Sequence, residues 1–279
     1  MPVQRLFALG PAGTFSDQAA RRAAQAFSRS GHPEVAVVLA RTVAEVFRLA
    51  ATEHDSAGVV PIENSSIGTV AAARDGLSAH DVVIEAELEV RVRFRLLSNA
   101  PLAQVARVFS HPASYEQCAV FLSEHLPNIP VSFTHSNTDS GDRLRALLPD
   151  DRVAAIVPID YGDDVPELIR ATDIQDEAEN TTRFIVIRRR DEASPPDFSR
   201  KKASFVVDPL TDRPGLLHDI LGLFKVHGVN LCRIESRPAR TRPWAYVFHM
   251  DIHQNSRGRE VLADLEKSGR ITLNAPVQI

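Results

Sequence analysis

An apolar run that ends abruptly in an acid, an amide and two hydroxyls stands at residues 59–70 of this chain. The polar residues occupy positions 63–66, directly after a β-branched stretch, and a helix-like run begins at Gly68. In open α/β sheets, ligands bind at the carboxyl ends of the strands. The segment therefore predicts a buried strand that delivers polar groups to a cleft, then a turn, then a helix.

Two other turns have a similar design. Gly13-Thr14-Phe15-Ser16 and Ser110-His111-Pro112 place hydroxyl groups just before a predicted helix, whose first N–H groups lack partners within the helix. Such helix N-termini bind anions. Ordinary capping explains any one of these turns, but three of them in one α/β unit favour a small ligand with more than one negative charge.

A fourth polar cluster, Asn180-Thr181-Thr182-Arg183-Phe184, stands at the entrance to an apolar strand. Taken alone, it indicates a turn at the start of a strand, with Arg183 in a structural ion pair.

Cysteines and histidines give no metal or redox signal. Cys118 and Cys232 lie far apart, so we expect no disulfide and place both in the core as small apolar residues. His249 and His253 flank a strand-like run, and we expect them at the surface. No metal site is predicted.

The composition indicates a globular protein that acts on a small molecule. The chain has 279 residues, 44% of them hydrophobic, with a formal charge of -4 and a pI near 6.2. This charge balance argues against nucleic-acid binding, which depends on neutralising phosphates. No stretch of about 18 apolar residues and no leader pattern is found. We expect no membrane association and a cytoplasmic location.

The element pattern predicts two folding units. Up to residue 190, strand-like and helix-like segments alternate, which favours a mainly parallel α/β sheet with helices on its faces. Residues 191–202 are polar, include Pro195-Pro196 and are predicted to be a linker. Residues 203–279 have the order of a ferredoxin-like βαββαβ unit. Its core is thin, so we expect pairing with a second copy.

The polar motifs occur in the order seen in prephenate dehydratases, which this chain resembles over nearly its whole length. The matching segments are Gly10-Pro11-x-Gly13-Thr14-Phe15-Ser16, Pro61-Ile62-Glu63-Asn64-Ser65-x-x-Gly68-x-Val70, Ser110-His111-Pro112 with Gln117-Cys118, and Thr182-Arg183-Phe184. Residues 228–238 resemble the signature of the ACT regulatory domain that follows the catalytic domain in that family.

The resemblance implies an α/β catalytic domain at residues 1–190, with two lobes like those of a type II periplasmic binding protein, and an ACT domain at 203–279. The implied reaction converts prephenate into phenylpyruvate, with loss of carbon dioxide and water and without a cofactor, in phenylalanine biosynthesis. The implied catalytic residues are Thr182 and Glu63, and the implied substrate-binding residues are Thr14, Asn64, Ser65, Ser110 and Gln117. A homodimer or homotetramer is implied as well.

The chemistry of this reaction suits these residue types. Hydroxide is a poor leaving group, so a donor such as the Thr182 hydroxyl must approach the ring oxygen as its bond to carbon breaks. A positioned acid typically contributes about 10²- to 10⁴-fold. An ionised Glu63 would repel a dianionic substrate unless it is protonated, paired or directed at a hydroxyl. We expect Glu63 to accept a hydrogen bond and orient its neighbours.

Resemblance to ACT domains implies L-phenylalanine as effector. The matching positions are Gly215, Leu216, Asn230, Leu231, Glu235 and Ser236. Relatives usually carry alanine where this chain has Leu216, and the larger side chain is expected to crowd the effector pocket.

Three alternatives remain open from the sequence. Arogenate dehydratase differs only in the side chain of its substrate. A prephenate decarboxylase would leave the ring non-aromatic, and such relatives lack the threonine found here as Thr182. A metabolite-binding module without turnover is the third.

Overall fold

The computed structural model describes residues 2–30, 34–147, 151–193, 202–209, 212–239, 244–253, 258–267, 269–274 and 277–278. Its strands are β1 (Arg5–Leu9), β2 (Ala36–Ala40), β3 (Ser56–Asn64), β4 (Gly68–Thr69), β5 (Val82–Arg91), β6 (Phe94–Ser98), β7 (Arg107–Ser110), β8 (Val131–Phe133), β9 (Val153–Pro158), β10 (Ile169–Thr172), β11 (Thr181–Arg189), β12 (Lys202–Pro209), β13 (Asn230–Pro238), β14 (Tyr246–His253), β15 (Gly269–Asn274) and β16 (Val277–Gln278). Its helices are α1 (Phe15–Arg29), α2 (Val43–Thr52), α3 (Ala71–Ala79), α4 (Pro112–Gln117), α5 (Ala119–His125), α6 (Asn137–Arg145), α7 (Leu216–His227) and α8 (Gly258–Glu266). Within these ranges, no helix is long and apolar enough to cross a bilayer.

The first lobe is a sheet with strand order β16-β5-β11-β3-β1-β2, and β4 pairs with β3. Helix α1 covers one face, where its alanines at helical spacing, Ala19, Ala20 and Ala23, are fully buried. Helices α2 and α3 cover the other face around Phe47 and Leu77. Each face therefore has its own apolar layer, as expected for an α/β unit.

The second lobe is a smaller sheet with strand order β10-β6-β9-β7-β8. One face packs against Cys118 and Leu122, which belong to the α4–α5 region, and the other packs against Leu144 of α6. The chain enters this lobe between β5 and β6 and leaves it between β10 and β11. These two crossings produce the predicted two-lobed architecture.

Both lobes have mixed sheets, so the prediction of a mainly parallel sheet was only partly right. Strand β1 is parallel to β2 and β3, but β11 is antiparallel to both β3 and β5. In the second lobe, β6 is antiparallel to β9 and β10. The reason is topological: β11 re-enters the first lobe from the second and inserts between strands that run the other way.

Strands β12 to β15, with α7 and α8, have the predicted βαββαβ order and the antiparallel strand order β13-β14-β12-β15. Strand β16, which was predicted to belong to this unit, instead pairs with β5 of the first lobe. Helices α7 and α8 cover one face of this sheet, around Ile220, Phe224 and Leu265. Gly215 and Gly228 bound α7 with φ of 80° and 63°, a left-handed conformation that glycine adopts without steric cost. The uncovered face of the sheet is turned toward the first lobe.

The segment between the two units is described only in part. Glu192 is 4% exposed, and its carboxylate accepts a hydrogen bond from the Asp55 N–H at 3.1 Å and contacts His54 at 2.7 Å. The first lobe therefore continues to Glu192. Residues 194–201 lie outside the described part of the chain, and the linker boundaries at 191 and 202 stay a prediction.

Candidate functional site

The polar residues at 63–66 lie on a β-hairpin, which differs from the predicted turn into a helix. Strand β3 continues to Asn64, and β4 turns back antiparallel, so that Glu63 pairs with Thr69 and Asn64 with Gly68. Gly68 has a φ of 90°, and α3 begins only at Ala71. A two-residue strand gives too little apolar alternation to be recognised from sequence.

Asn64 is the centre of a buried hydrogen-bond network. Its Nδ2 donates to Asn180 Oδ1 at 2.7 Å and to Thr182 Oγ1 at 2.9 Å. Its Oδ1 accepts from the backbone N–H groups of Ser66 and Ile67, at 3.0 and 2.9 Å. Because the acceptors all lie at Nδ2 and the donors all lie at Oδ1, the side-chain amide of Asn64 can adopt only this orientation without losing hydrogen bonds.

The Thr182 hydroxyl is positioned by this network. Thr182 lies near the start of β11, is 9% exposed, and accepts the hydrogen bond from Asn64. A hydroxyl carries one hydrogen and two lone pairs, and no described group accepts that hydrogen. The arrangement leaves the hydrogen available for donation to a bound molecule.

The network extends into the second lobe. Asn180, which is 1% exposed, donates from Nδ2 to Gln117 Oε1 at 2.6 Å. Gln117 is the last residue of α4, so an unbroken chain of amides joins it to Thr182. The sequence had not assigned Asn180 to the site; its position two residues before Thr182 was the available signal, because alternate residues of a strand share a face.

Glu63 is paired with two arginines. Its Oε2 accepts from Arg183 Nη1 at 3.3 Å and from Arg233 Nη1 at 3.1 Å. The ion pair of Arg183 was expected from the sequence. Arg233 was not, because it comes from β13 of the C-terminal sheet. The two ion pairs offset the charge of the Glu63 carboxylate and so reduce the repulsion that an anionic ligand would meet. Arg233 also pairs with Glu235, and Arg183 lies 3.9 Å from Glu89.

Three other predicted substrate-binding residues make local contacts. Thr14 caps α1 and donates to the Pro11 carbonyl at 2.8 Å. Ser65 Oγ accepts from the Thr181 N–H at 3.0 Å. Ser110 is fully buried, donates to the His111 carbonyl and lies 3.0 Å from Ser114 Oγ, so its hydroxyl is satisfied inside the second lobe. Thr14 and Ser110 do not join the Asn64 network. Ser65 meets it only through Thr181, whose carbonyl accepts from Asn64 Nδ2 at 3.4 Å.

The N-terminus of α6 is a feature that the sequence reading did not identify. Ser136 caps the helix by accepting from the Asp139 N–H at 3.0 Å, and Asn137 Oδ1 is buried without a partner among the described residues. A Cβ built on Gly13 would lie 3.2 Å from Thr138 Cγ2. The α6 terminus of one lobe therefore faces the α1 turn of the other. The signal was Ser-x-x-Asp at 136–139, a helix-start pattern.

A separate cavity of about 330 Å³ lies in the C-terminal unit. It is lined by Pro209, Asp212, Leu216, Ser236, Ala245, Tyr246 and Phe248. Of the residues predicted for effector binding, Leu216 and Ser236 line it, and Gly215 is adjacent in sequence. Asn230, Leu231 and Glu235 do not. The carboxylate of Glu235 instead contacts Arg233 and Thr69, on the side of the sheet that faces the first lobe.

Two predictions about single residues were wrong. Cys232 is exposed, whereas Cys118 is buried, as expected, and burial raises the pKa of the Cys118 thiol. His249 is 2% exposed, because it lies at the contact between the C-terminal sheet and the first lobe; burial, with Arg74 nearby, lowers the pKa of its imidazole to about 4. The side chain of His253 lies outside the described part.

No group of three or more His, Cys, Asp or Glu side chains suited to a metal ion occurs among the described residues.

Comparison with known proteins gives two family matches. The prephenate dehydratase model matches residues 6–192, and the ACT domain model matches residues 210–270. A bifunctional chorismate mutase/prephenate dehydratase of Stutzerimonas stutzeri is 34% identical, over 95% of this chain and 69% of that protein.

Two crystal structures are similar over nearly the whole chain. Prephenate dehydratase of Staphylococcus aureus has a TM-score of 0.78 at 28% identity and covers 99% of this chain and 100% of its own. Prephenate dehydratase of Arthrobacter aurescens, solved in complex with L-Phe, has a TM-score of 0.82 at 29% identity and covers 98% of this chain and 89% of its own.

Proposed function

The chain belongs to the prephenate dehydratase family and carries a C-terminal ACT domain, and we propose that it converts prephenate into phenylpyruvate, carbon dioxide and water. The ring C–O bond and the bond to the ring carboxylate both break. The electron pair of the carboxylate bond completes the aromatic ring, and the departing oxygen takes up a proton to leave as water. Aromatisation supplies the driving force, so the protein has mainly to orient the substrate and stabilise departing charge.

The observation that carries this proposal is the Thr182 hydroxyl, which accepts from Asn64 and retains its hydrogen. An alcohol is too weak an acid to protonate the ring oxygen in advance. Because the Asn64 amide occupies one lone pair of this hydroxyl at 2.9 Å, the hydrogen points away from Asn64 and can donate with little reorganisation when charge develops on the ring oxygen. Thr182 is accordingly the proposed catalytic donor.

Substrate carboxylates would be received by helix N-termini and arginine. The α1 turn with Thr14 and the α6 terminus with Asn137 face each other across the lobes, and the first N–H groups of a helix have no partner within the helix. Ser65 and Gln117 would act mainly by holding Thr181 and Asn180 beside Thr182, and Ser110 by shaping the turn before α4. Glu63, paired with Arg183 and Arg233, would orient its neighbours and not deliver the proton.

Separate incubations of the purified chain with prephenate and with arogenate, with product followed by absorbance, test the proposal. Phenylpyruvate is expected. A non-aromatic product would instead identify a decarboxylase, and conversion of arogenate alone would identify an arogenate dehydratase. If no product forms, the remaining alternative is a binding module without turnover. Thr182→Ala should lower kcat by about 10²- to 10⁴-fold, and Glu63→Gln by clearly less. Equal losses would contradict the role given to Glu63.

We also propose L-phenylalanine as the effector, bound in the cavity beside Leu216 and Ser236. The complex of the Arthrobacter aurescens relative with L-Phe supports this assignment. A homodimer or homotetramer with paired ACT domains would cover the thin C-terminal core. Because substrate and product are charged metabolites that cross bilayers poorly, we place the reaction in the cytoplasm. Calorimetry with L-phenylalanine and light scattering test the effector and the assembly.

A further inference from the structure

The ACT domain docks on the segment that follows the catalytic hairpin. Arg237 of β13 donates to Asp75 Oδ1 at 3.0 Å, and Ser78 Oγ lies 3.1 Å from His249 Nε2. Asp75 and Ser78 both belong to α3, which begins directly after β4. The uncovered face of the ACT sheet thus rests on the helix that the hairpin leads into.

Arg233 reaches past this helix to the hairpin itself. One guanidinium nitrogen donates to Glu63 on β3, and the other donates to Thr69 on β4, the residue that pairs with Glu63. Glu235 completes the group, accepting from Arg233 at 2.7 Å and from Thr69 at 3.0 Å. The Arg233 side chain is 15% exposed. Arg233 therefore clamps both strands of the hairpin that holds Asn64.

Strand β13 also reaches the cavity of the ACT domain. Its residues are alternately half-buried and exposed, which places Arg233, Glu235 and Arg237 on the face toward the first lobe. Ser236, between two of them, lines the cavity together with Leu216. One strand therefore contacts both the effector cavity and the catalytic hairpin.

We infer that Arg233 is a positioning residue of the catalytic cleft, which holds Glu63 and its hairpin in place. A ligand bound in the cavity of the ACT domain would change the rate of turnover through this contact between Arg233 and Glu63. The inference rests on the proposed dehydratase activity. Arginine suits the role because its planar fork contacts two acceptors at once, whereas lysine offers a single point charge. The Glu63 side chain is 31% exposed, so the pair is partly shielded from water, and its geometry matters more than that of a fully exposed ion pair.

The test compares Arg233→Met with Arg237→Met, which removes another interdomain ion pair of β13 without touching Glu63. We expect Arg233→Met to lower kcat/KM for prephenate by about tenfold, Arg233→Lys to recover part of this loss, and Arg237→Met to stay within about twofold of the parent chain. Urea unfolding of each variant shows whether the compared proteins are folded. If Arg233→Met does not fold, Arg233→Lys takes its place in the comparison.

Two further measurements separate positioning from general support of the fold. If Arg233 acts through Glu63, adding Arg233→Met to Glu63→Gln causes no further loss. Saturating L-phenylalanine should change kcat/KM of the parent chain and of Arg237→Met, but change that of Arg233→Met by less than about twofold although calorimetry still detects binding.

Several outcomes overturn the inference: additive losses in the double variant, equal losses in Arg233→Met and Arg237→Met, or an unchanged phenylalanine response in Arg233→Met. If the parent chain turns over prephenate but its turnover does not change with phenylalanine, the claim that the cavity influences turnover is refuted. Absence of turnover in the parent chain would instead refute the proposed function itself.

Discussion

Replacing Asn64 with aspartate reverses the direction of the hydrogen bond at Thr182. In the parent chain, Asn64 Nδ2 donates to Thr182 Oγ1 at 2.9 Å, so the hydrogen of the threonine hydroxyl points away from Asn64. An ionised aspartate in the same place offers only acceptors. The hydroxyl would then donate to that carboxylate in a charge-assisted bond, which is stronger than one to a neutral group. Its hydrogen would no longer be available for donation to the substrate.

The expected loss can be derived from the contacts. Removal of one preorganised donor to developing oxygen charge costs about 10²- to 10³-fold in kcat, or about 3–4 kcal/mol. Asn180 Oδ1, 2.7 Å from the replaced nitrogen, would face an anion, and Asn180 cannot turn over without losing its bond to Gln117. This repulsion should cost about 2–4 kcal/mol in the free energy of unfolding.

The assay is phenylpyruvate formation at about pH 8, where the introduced carboxyl is ionised, together with urea unfolding of each variant. Asn64→Ala removes the donor without supplying an acceptor, so it is the matched control and should lose less kcat than Asn64→Asp. Thr182→Ser, which keeps the hydroxyl, should retain activity within about tenfold. An Asn64→Asp variant with kcat near that of the parent chain, or above that of Asn64→Ala, would refute the reasoning.

Three other predictions concern packing, pH and the effector cavity. A Cβ on Gly76 would lie 2.3 Å from the buried ring of Phe47, so Gly76→Ala should destabilise the fold by about 1–3 kcal/mol in urea unfolding; Gly222→Ala, in open space on a helix, should instead be neutral or stabilising by up to about 1 kcal/mol. Because the pKa of His249 is about 4 in the fold against an ordinary 6.5, the unfolded chain binds the extra proton between these values. Stability should therefore be full above about pH 6.5 and fall by about 3 kcal/mol toward pH 4, and a urea series showing the same fall in His249→Gln would contradict this origin. Leu216→Ala should enlarge the ACT cavity and strengthen L-phenylalanine binding by about tenfold in calorimetry; unchanged or weaker affinity would show that Leu216 does not obstruct the ligand.

The sequence predicted the ACT fold well because local signals were sufficient there. Alternating strands, a helix with an apolar face and Gly228 at its end specify the element order without long-range information. In the first lobe, the turn Gly13-Thr14-Phe15-Ser16 was expected to precede a helix and to allow ordinary capping, and Thr14 does cap α1. These features depend on residues within a few positions of one another.

The central contacts of the site could not be derived in this way. Asn64 and Asn180 are 116 positions apart, and their bond requires β11 to insert beside β3 after a full passage through the second lobe. The burial of His249 and the reach of Arg233 to Glu63 depend on how two folding units dock. A strand pattern specifies which residues share a face but not what that face will contact. Resemblance to a family identified Thr182, whereas the geometry explained how it is held.

The amide chain from Gln117 to Thr182 crosses from one lobe to the other where the two connecting segments meet. The carbonyl of Asn180 accepts from the Val92 N–H at 2.8 Å, so Asn180 sits where the two segments between the lobes run side by side. A rotation that parted the lobes would lengthen the bond from Asn180 to Gln117 and, through Asn180, weaken the bond that positions Asn64. If Thr182 is the donor, as proposed, parting the lobes would leave its hydroxyl less firmly held, so donation to the substrate would be favoured when the lobes are closed and water is excluded.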